Sequence, residues 1–222
     1  MTEERMACCA LYDLDGTITK DDCYLGFLCY MLLRRPVRWM RIPILAMGVL
    51  MYKIGFKDNS WLKVFFLKHV LEGLKKDDVT RHVACFLNKT LPRTIKPKAV
   101  QSIKNHQERG DYLILLTASL DLYAEAIGKQ LGFHQVISTK AERDAVGTIT
   151  GRLNQENCHG KTKAIHLLSL KKKWPNICFI AYTDHHSDIP MVEEADTSVA
   201  VNPDKRLRAY AITHNIPCED WN

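Results

Sequence analysis

The sequence predicts an α/β protein with a doubly wound parallel sheet and a helical insert after the first strand. Over most of the 222 residues, apolar segments of strand length alternate with segments of helix length, which is typical of a parallel sheet with helices on its faces. Residues 20–92 break this alternation and contain only helical patterns. A chain of this length is enough for one large domain, or for one core with a smaller insert.

Five apolar segments are the predicted strands of the sheet. The first one leads directly into Asp13 and is followed by Gly16. A continuous apolar run that ends near a glycine indicates a strand buried on both faces. A small hairpin is expected at Gly147–Gly151. The predicted strands are residues 6–13, 111–117, 135–139, 177–183 and 197–201.

Helical patterns occupy the intervals between these strands and the whole of the insert. Pro97 stands at the first position of one helix, where the N–H that proline lacks would have no helical partner. In the insert, Pro43 is expected to interrupt a helix and Ser60 to cap another. The helices are predicted over residues 97–109, 120–131, 161–172 and 188–195 in the core, and over 22–34, 37–54, 60–74 and 77–90 in the insert.

The composition is that of a globular protein in a reducing compartment. Hydrophobic residues make up 46% of the chain and charged residues 25%, as in soluble globular domains. The eight cysteines include no CxxC pair, so neither a zinc site nor a disulfide framework is expected. The start, Met-Thr-Glu-Glu-Arg, lacks the pattern of a signal peptide. We therefore expect a cytoplasmic location.

The net charge of +6 belongs to one part of the insert. Residues 23–57 contain six cations and no acid, whereas the rest of the chain carries 25 cations and 25 acids. This basic segment is also strongly apolar. A nucleic-acid partner is not expected, because the interleaved aromatic residues and the motifs of such proteins are absent. The six cations are Arg34, Arg35, Arg38, Arg41, Lys53 and Lys57.

Two carboxylates, Asp13 and Asp15, follow the first predicted strand. Ligands of open α/β sheets bind at the carboxyl ends of the strands. Two acids one residue apart can share a metal ion there, or act one as a nucleophile and the other as an acid and base. The alternative is that both are solvated residues of an Asp-Gly turn.

Four sequence motifs together resemble those of the haloacid dehalogenase (HAD) superfamily, in the same order. The similarity is to subfamily IB, the phosphoserine-phosphatase-like branch, and the segment after the first motif is most similar to its phosphatidylglycerophosphatase C members. The tail from Ala200 to Leu207 is also typical of this branch. The motifs are Asp13-Leu-Asp-Gly-Thr17, Leu113-Ile-Leu-Leu-Thr-Ala-Ser119, His159-Gly-Lys-Thr-Lys163 and Ala181-Tyr-Thr-Asp-His-His-Ser-Asp188.

The resemblance implies a role for each acid. Asp13 would attack the phosphorus and form an aspartyl-phosphate, and Asp15 would protonate the leaving oxygen and later deprotonate a water. Mg²⁺ would bind the Asp13 side chain, the Asp15 carbonyl oxygen and Asp184. Asp188 would bind it through water, or orient Asp184 and the lysine. The alternative for Asp184 and Asp188 is to cap the helix predicted over 188–195.

The resemblance also implies the phosphate-binding residues. Thr117 would donate its hydroxyl to a phosphoryl oxygen, next to Ala118 and Ser119. Ser119 would support the site or cap the following helix. Either Lys161 or Lys163 would contact the nucleophile and the phosphate. Lys161 aligns with the Gly-Lys of phosphoserine phosphatases, and Lys163 with the Cys-x-Gly-x-x-Lys of lipid-phosphatase-like members.

The fourth motif departs from the usual pattern of the family. Thr183 stands where Gly or Ser is usual, and His185 and His186 follow the first acid where a small residue is usual. These histidines could tune a pKa or touch the leaving group, or they could be surface residues of a loop. Neither His186 nor Trp39 is predicted as a site residue.

The resemblance predicts residues 1–19 and 93–222 as the catalytic core, and residues 20–92 as a C1 cap that covers the site and selects the substrate. The predicted function is a Mg²⁺-dependent phosphomonoester phosphatase, with a lipid phosphate such as phosphatidylglycerophosphate as its substrate. The alternative is a soluble small-metabolite phosphatase of the phosphoserine type, against which we count the absence of acids from residue 23 to 57. A non-catalytic binding module is less favoured, because the acids and a lysine are intact.

The cap also contains a candidate membrane contact. Its uncharged runs, residues 24–33 and 42–52, have ten and eleven residues, whereas a membrane-spanning helix needs about 20. Arg34, Arg38 and Arg41 recur at helical spacing among apolar residues, as in a basic helix on an anionic membrane surface. The protein would then be peripheral to the inner face of the membrane. The alternative is that the arginines face solvent or the phosphate.

Overall fold

A six-stranded parallel sheet forms the centre of the computed structural model, which describes residues 8–222. Residues 1–7, which include the start of the first predicted strand, lie outside the described residues. The order in the sheet is β3-β2-β1-β6-β7-β8. These strands are β1 (Cys8–Tyr12), β2 (Tyr112–Leu120), β3 (Gln135–Thr139), β6 (Cys178–Thr183), β7 (Thr197–Val201) and β8 (Cys218–Glu219), and a separate antiparallel hairpin contains β4 (Ala141–Arg143) and β5 (Ile149–Leu153).

Helices precede or follow each strand of the parallel sheet, and the predicted fold class is confirmed. Five of them lie between β1 and β2, and the first four of these belong to the insert. The helices are α1 (Cys23–Leu33), α2 (Ile42–Lys53), α3 (Asn59–Phe66), α4 (Lys76–Thr94), α5 (Pro97–Arg109), α6 (Asp121–Gln130), α7 (Lys161–Lys173), α8 (Ile189–Glu194) and α9 (Lys205–Thr213).

Strand β1 lies in the middle of the sheet and is buried on both faces. Its Ala10 and Tyr12 belong to one hydrophobic cluster, whereas Cys9 and Leu11 belong to a second one, because successive side chains of a strand point to opposite faces. None of the four has exposed surface. This burial on two faces explains why the strand is a continuous apolar run in the sequence.

The helices between β1 and α5 pack against the rest of the protein through aromatic side chains. The ring of Phe27 in α1 lies 5.4 Å from the ring of Phe86 in α4 and 5.4 Å from that of Tyr123 in α6. Phe27 and Tyr123 are fully buried. Aromatic pairs at such separations add to the free energy of burial, and they hold the insert on the sheet layer.

Two predicted helices of the insert have different limits in the structure. Residues 37–54 are a 3₁₀ helix over Pro36–Arg41 followed by α2, and Pro43 lies in the first turn of α2. Proline is tolerated there because the first N–H groups of a helix have no helical partner. The helix predicted over 60–74 ends at Phe66 and continues as a π-helical turn over Leu67–Leu71.

The other differences concern helix and strand ends. Helix α4 continues past Pro92 to Thr94, four residues beyond its predicted end, because Leu91 and Thr94 are buried and packing outweighs the missing N–H of the proline. Helix α9 and strand β8 were not predicted. Strand β8 has only two residues, which pair with the end of β7, and such a segment is too short for any apolar pattern.

Two arginines of the insert donate hydrogen bonds to backbone carbonyl oxygens. Arg38 donates to the carbonyl oxygens of Glu72 at 2.6 Å and of His69 at 3.4 Å, and Arg41 donates to that of His69 at 2.9 Å. These carbonyls lie in and just after the π-helical turn, where helical partners are missing.

Among residues 8–222, no helix is both long enough and apolar enough to span a bilayer.

Candidate active site

The carboxyl ends of three neighbouring strands bring the candidate site residues together. Strand β1 pairs with β2 on one side and with β6 on the other. Asp13 follows β1, Thr117 lies within the last residues of β2, and Asp184 follows β6. The Asp13 N–H still donates to the carbonyl of Tyr182, at 3.0 Å, so the sheet holds the backbone of this acid.

A buried lysine joins two of the acids. Lys163, in the first turn of α7, has its ammonium 3.0 Å from Asp13 Oδ1 and 2.7 Å from Asp188 Oδ2. The hydroxyl of Thr183 also donates to Asp188 Oδ2, at 2.7 Å. Lys161, in contrast, is exposed. The structure therefore places Lys163, and not Lys161, beside Asp13.

Asp13 is held through one of its two carboxylate oxygens. The N–H of Leu14 donates to Asp13 Oδ1 at 2.7 Å, and the Lys163 contact uses the same oxygen. Oδ2 accepts no hydrogen bond from the described residues. The carboxylate is thus fixed in direction and keeps one oxygen available for chemistry.

The side chain of Asp15 is held by the segment that follows β2. Ser119 donates its hydroxyl to Asp15 Oδ2 at 2.5 Å, and the N–H of Cys23 donates to Asp15 Oδ1 at 2.7 Å. Tyr123 in turn donates to the Ser119 hydroxyl, at 3.0 Å. Ser119 thus supports the site and does not cap α6, since Leu120 holds the N-cap position of that helix.

Asp184 is fixed by the loop that carries the first two acids. Thr17 donates its hydroxyl to Asp184 Oδ1 at 3.0 Å, and the N–H of Asp204 donates to the Asp184 carbonyl at 2.8 Å. Gly16 has φ +79°, and a Cβ added there would collide with the Asp184 carboxylate. A glycine is therefore required by both its backbone conformation and the closeness of this acid.

The acids of the site are electrostatically strained. Burial raises the pKa of Asp13 to about 8, although Lys163 opposes this, and burial also raises the pKa of Asp184 to about 6. Burial disfavours the charged form of Lys163, but Asp13 and Asp188 outweigh it and raise its pKa. For Asp188, the lysine outweighs burial and lowers the pKa. Lys163 and Asp188 therefore form a charged pair, and Asp13 and Asp184 lack a full counter-charge.

Oxygen atoms of these acids could hold a hard divalent cation. Carboxylate and carbonyl oxygens are the ligands that Mg²⁺ prefers, and a cation would offset the mutual repulsion of Asp13, Asp184 and Asp188. The Asp15 carboxylate is engaged with Ser119 and Cys23. Asp15 could therefore offer its backbone carbonyl to such a cation.

The two histidines after Asp184 contact Asp204. His186 Nδ1 lies 2.5 Å and His185 Nε2 3.5 Å from Asp204 Oδ2. The three side chains form a compact group of metal-ligand type at the surface, and His185 also lines the cavity of the site. Trp39 is half exposed and donates to the carbonyl of Leu32, away from the cavity lining.

A cavity of about 450 Å³ opens over the acids. Its inner end contains the acids, Lys163 and residues 117–119, and its outer wall comes from the insert. Asp22, Lys53 and Lys63 add charges to this wall. Sequence reasoning missed Asp22 and Lys63. The apolar side chains of the wall are Leu25, Leu28, Val49, Leu62 and Phe66.

A known family matches most of the chain. The family model of haloacid dehalogenase-like hydrolases matches residues 10–193, which include all four motifs. The chain belongs to the haloacid dehalogenase-like hydrolase family.

The named relatives include a phosphatase. Protein CicA of Caulobacter vibrioides is 26% identical over 186 residues, 83% of this chain and 82% of that protein. Phosphoserine phosphatase SerB1 of Mycobacterium tuberculosis is 36% identical over 108 residues, 48% of this chain and 35% of that protein. Within the family, this chain is a phosphatase.

Solved structures show the same fold. A Bordetella pertussis protein of unknown function has a TM-score of 0.84 at 20% identity, covering 98% of this chain and 100% of that one. A substrate-bound phosphoserine phosphatase complex has a TM-score of 0.70 at 16% identity, covering 97% of this chain and 94% of that one. The predicted HAD-like fold and family are therefore confirmed, while membership of subfamily IB stays a prediction.

Replacing Gly16 with alanine tests the tight contact with Asp184. We expect Gly16→Ala to lower phosphatase turnover by about a hundredfold, because displacing a site group by about 1 Å costs that much. The matched control is Gly73→Ala, since Gly73 also has φ +79° but would meet no atom within 4 Å. Turnover of p-nitrophenyl phosphate and thermal melting are measured for both. Equal losses of turnover in the two variants would show that backbone strain alone matters.

Proposed function

We propose that this chain is a Mg²⁺-dependent phosphomonoesterase that works through an aspartyl-phosphate on Asp13. One observation carries the proposal. The buried ammonium of Lys163 joins Asp13 to Asp188 at the carboxyl edge of the sheet, at 3.0 and 2.7 Å, inside a cavity that also contains Asp15 and Thr117. A fixed carboxylate, a second acid and donors for a phosphate are the groups that phosphoryl transfer requires.

The donor set of the site fits Mg²⁺. The Asp13 side chain, the Asp15 carbonyl and the Asp184 side chain would hold the ion, and Asp188 would act through water or by orienting Asp184. The raised pKa values of Asp13 and Asp184 reflect burial and mutual repulsion, which a bound cation relieves. When bound, Mg²⁺ supplies positive charge that offsets the repulsion between the nucleophile and the phosphate.

The side chains of the site have separate roles in the two half-reactions. Asp13 Oδ2 attacks the phosphorus and the bond to the leaving oxygen breaks, while Asp15 gives its proton to that oxygen. Burial raises the pKa of Asp15, which favours the protonated acid that this step needs. In the second half-reaction Asp15 takes a proton from water, and the hydroxide oxygen displaces Asp13 from phosphorus. Lys163 and the Thr117 hydroxyl hold the phosphoryl oxygens.

The proposal includes a division into core and cap. Residues 1–19 and 93–222 would be the catalytic core and residues 20–92 the C1 cap, with residues 1–7 outside the part that the structure describes. Support comes from the cavity, whose inner end is built by strand ends and whose outer wall is built by the insert. Residues of the insert can therefore select the substrate without changing the catalytic residues at the strand ends.

A lipid phosphate is the proposed substrate. The cavity wall formed by Leu25, Leu28, Val49 and Phe66 suits a phosphomonoester with an apolar body, such as phosphatidylglycerophosphate. The second candidate is phosphoserine, which is favoured by the relatives of that name and by the charges of Asp22 and Lys63 in the same wall. The absence of acids from residue 23 to 57 is only weak evidence against phosphoserine. Asp22 lies just outside that range and lines the same cavity.

Peripheral contact with an anionic membrane is part of the proposal. Eleven of the sixteen exposed large hydrophobic side chains among the described residues lie in residues 33–56, the segment that has cations and no acid. Val37 and Met40 are each 85% exposed. Exposed apolar side chains with interspersed cations are typical of an interfacial surface. Helix α2 carries part of this surface and also lines the cavity through Val49.

Replacing Asp13 tests the nucleophile together with the metal. We expect Asp13→Asn to reduce turnover of p-nitrophenyl phosphate by several orders of magnitude while thermal melting remains close to wild type. In the wild type, EDTA should abolish turnover and added Mg²⁺ should restore it. Near wild-type turnover in Asp13→Asn refutes the nucleophile, and full activity after exhaustive dialysis against EDTA refutes the metal. The control variant is Ala145→Ser, a change on the exposed loop of the hairpin, which shows the effect of producing and purifying a variant protein.

Liposome binding tests the surface around Val37 and Met40. The wild type should sediment with phosphatidylglycerol liposomes at low salt and much less at high salt, and little with neutral ones. The Val37→Asp/Met40→Asp variant should bind at least tenfold more weakly, since it loses apolar burial and adds repulsion. The control is Val146→Asp/Ile212→Asp, two exposed apolar residues elsewhere. Equal binding by the two double variants contradicts this docking surface.

The same variants distinguish the substrate candidates. If the substrate is a lipid phosphate, Val37→Asp/Met40→Asp should slow its hydrolysis in liposomes and leave p-nitrophenyl phosphate turnover unchanged. If the wild-type protein does not bind liposomes and hydrolyses phosphoserine faster than the lipid phosphate, the soluble-metabolite candidate is supported instead.

A further inference from the structure

Lys63 is a buried cation from the insert that has no carboxylate partner among the described residues. It lies in α3 and is 6% exposed. Its ammonium donates to the carbonyl oxygen of Ala118 and, at 2.9 Å, to Asn157 Oδ1. A buried charge is costly unless it is paired, and both of these acceptors are neutral. The free energy spent on this lysine therefore requires an explanation beyond packing.

The carbonyl that Lys63 holds belongs to the centre of the phosphate-binding segment. The Ala118 carbonyl and the Ser119 N–H are the two ends of one planar peptide unit. Lys63 and the Thr139 hydroxyl, at 2.8 Å, lie at the carbonyl end. At the other end, the Ser119 N–H donates to Thr117 Oγ1 at 3.0 Å. This peptide unit is thus fixed from both sides.

The orientation of this peptide unit controls two groups of the proposed mechanism. Because Thr117 Oγ1 accepts the Ser119 N–H, its own proton remains free to donate to a phosphoryl oxygen. The hydroxyl of Ser119 donates to Asp15 Oδ2 at 2.5 Å and thereby orients the proposed acid. A rotation of the unit would displace the phosphate donor and the acid together.

We propose that Lys63 is a positioning residue that holds the Thr117–Ser119 segment in its phosphate-binding conformation. The inference rests on the proposed function, because it assumes that Thr117 binds the phosphate. Lys63 acts from the insert, and Asn157, its second acceptor, also contacts Ser60 of α3 through its amide nitrogen at 3.2 Å. The phosphate-binding segment is therefore correctly arranged only when α3 is docked on it.

The ionisation of Lys63 gives this role a pH signature. Burial lowers the pKa of Lys63 to about 8, although Asp15 and Asp22 raise it; Cys158 and Lys163 also face it. Lys63 is thus mostly charged at neutral pH, and its charge is lost as the pH rises through about 8. Because folding depresses this pKa, the charged form destabilises the fold below pH 8. Removing the charge should then not lower the stability at pH 7.

The test compares Lys63→Met and Lys63→Arg with the wild type. Lys63→Met keeps an unbranched side chain as far as Cε but loses the charged ammonium, and we expect a kcat about a hundredfold lower for p-nitrophenyl phosphate. It should bind inorganic phosphate at least tenfold more weakly in calorimetry, with a melting temperature equal to or above that of the wild type. Lys63→Arg should recover part of kcat and move the alkaline loss of activity above pH 8, since arginine stays charged. Lys68→Met, on an exposed lysine, is the control.

Three results would overturn the proposal. The first is a wild-type kcat and phosphate affinity in Lys63→Met. The second is a fall in melting temperature that matches the fall in kcat, with no shift of the alkaline limb in Lys63→Arg, which indicates a structural lysine. The third is a raised KM alone, which indicates direct contact with the leaving group. If the proposed function is wrong, Asp13→Asn will still turn over substrate, which none of these three results requires. In that case the phosphate affinities of the Lys63 variants still test the role of Lys63.

Discussion

The buried contact between Lys163 and the acids Asp13 and Asp188 is the interaction on which the rest of the site depends. It places a positive charge at the carboxyl edge of the sheet, at 3.0 and 2.7 Å from the two carboxylates. One lysine does not neutralise three acids, so Asp13 and Asp184 retain raised pKa values. Under the proposed function, this deficit of positive charge would favour binding of a cation and then of a phosphate.

The insert completes a site that the sheet alone cannot form. The strand ends supply the acids and the proposed phosphate donors, whereas the insert supplies the apolar wall and the Lys63 contact to Ala118. Under the proposed function, chemistry and substrate choice would therefore belong to different parts of the chain, as in many enzymes that share one fold. Helix α2 lines the cavity through Val49 and also carries part of the exposed apolar surface, so the proposed membrane contact and the proposed lipid substrate depend on the same segment.

The sheet and the acids could be predicted because their signals are local. A strand buried on both faces is a continuous apolar run, and Asp13 and Asp184 directly follow such runs. The choice between Lys161 and Lys163 could not be made, because it depends on which side of α7 faces the sheet. Lys63 was missed because its acceptor Ala118 lies 55 residues away in the sequence, and a lysine in a surface helix is ordinarily solvated.

The central claim, that Asp13 becomes phosphorylated, is tested most directly by trapping the intermediate. The enzyme is mixed with substrate and Mg²⁺, quenched in acid within milliseconds, digested and analysed by mass spectrometry. The account predicts a phosphoryl adduct on the peptide that contains Asp13, present in the wild type and absent from Asp13→Asn. An adduct on another residue, or turnover at wild-type rate with no adduct at any quench time, would contradict it.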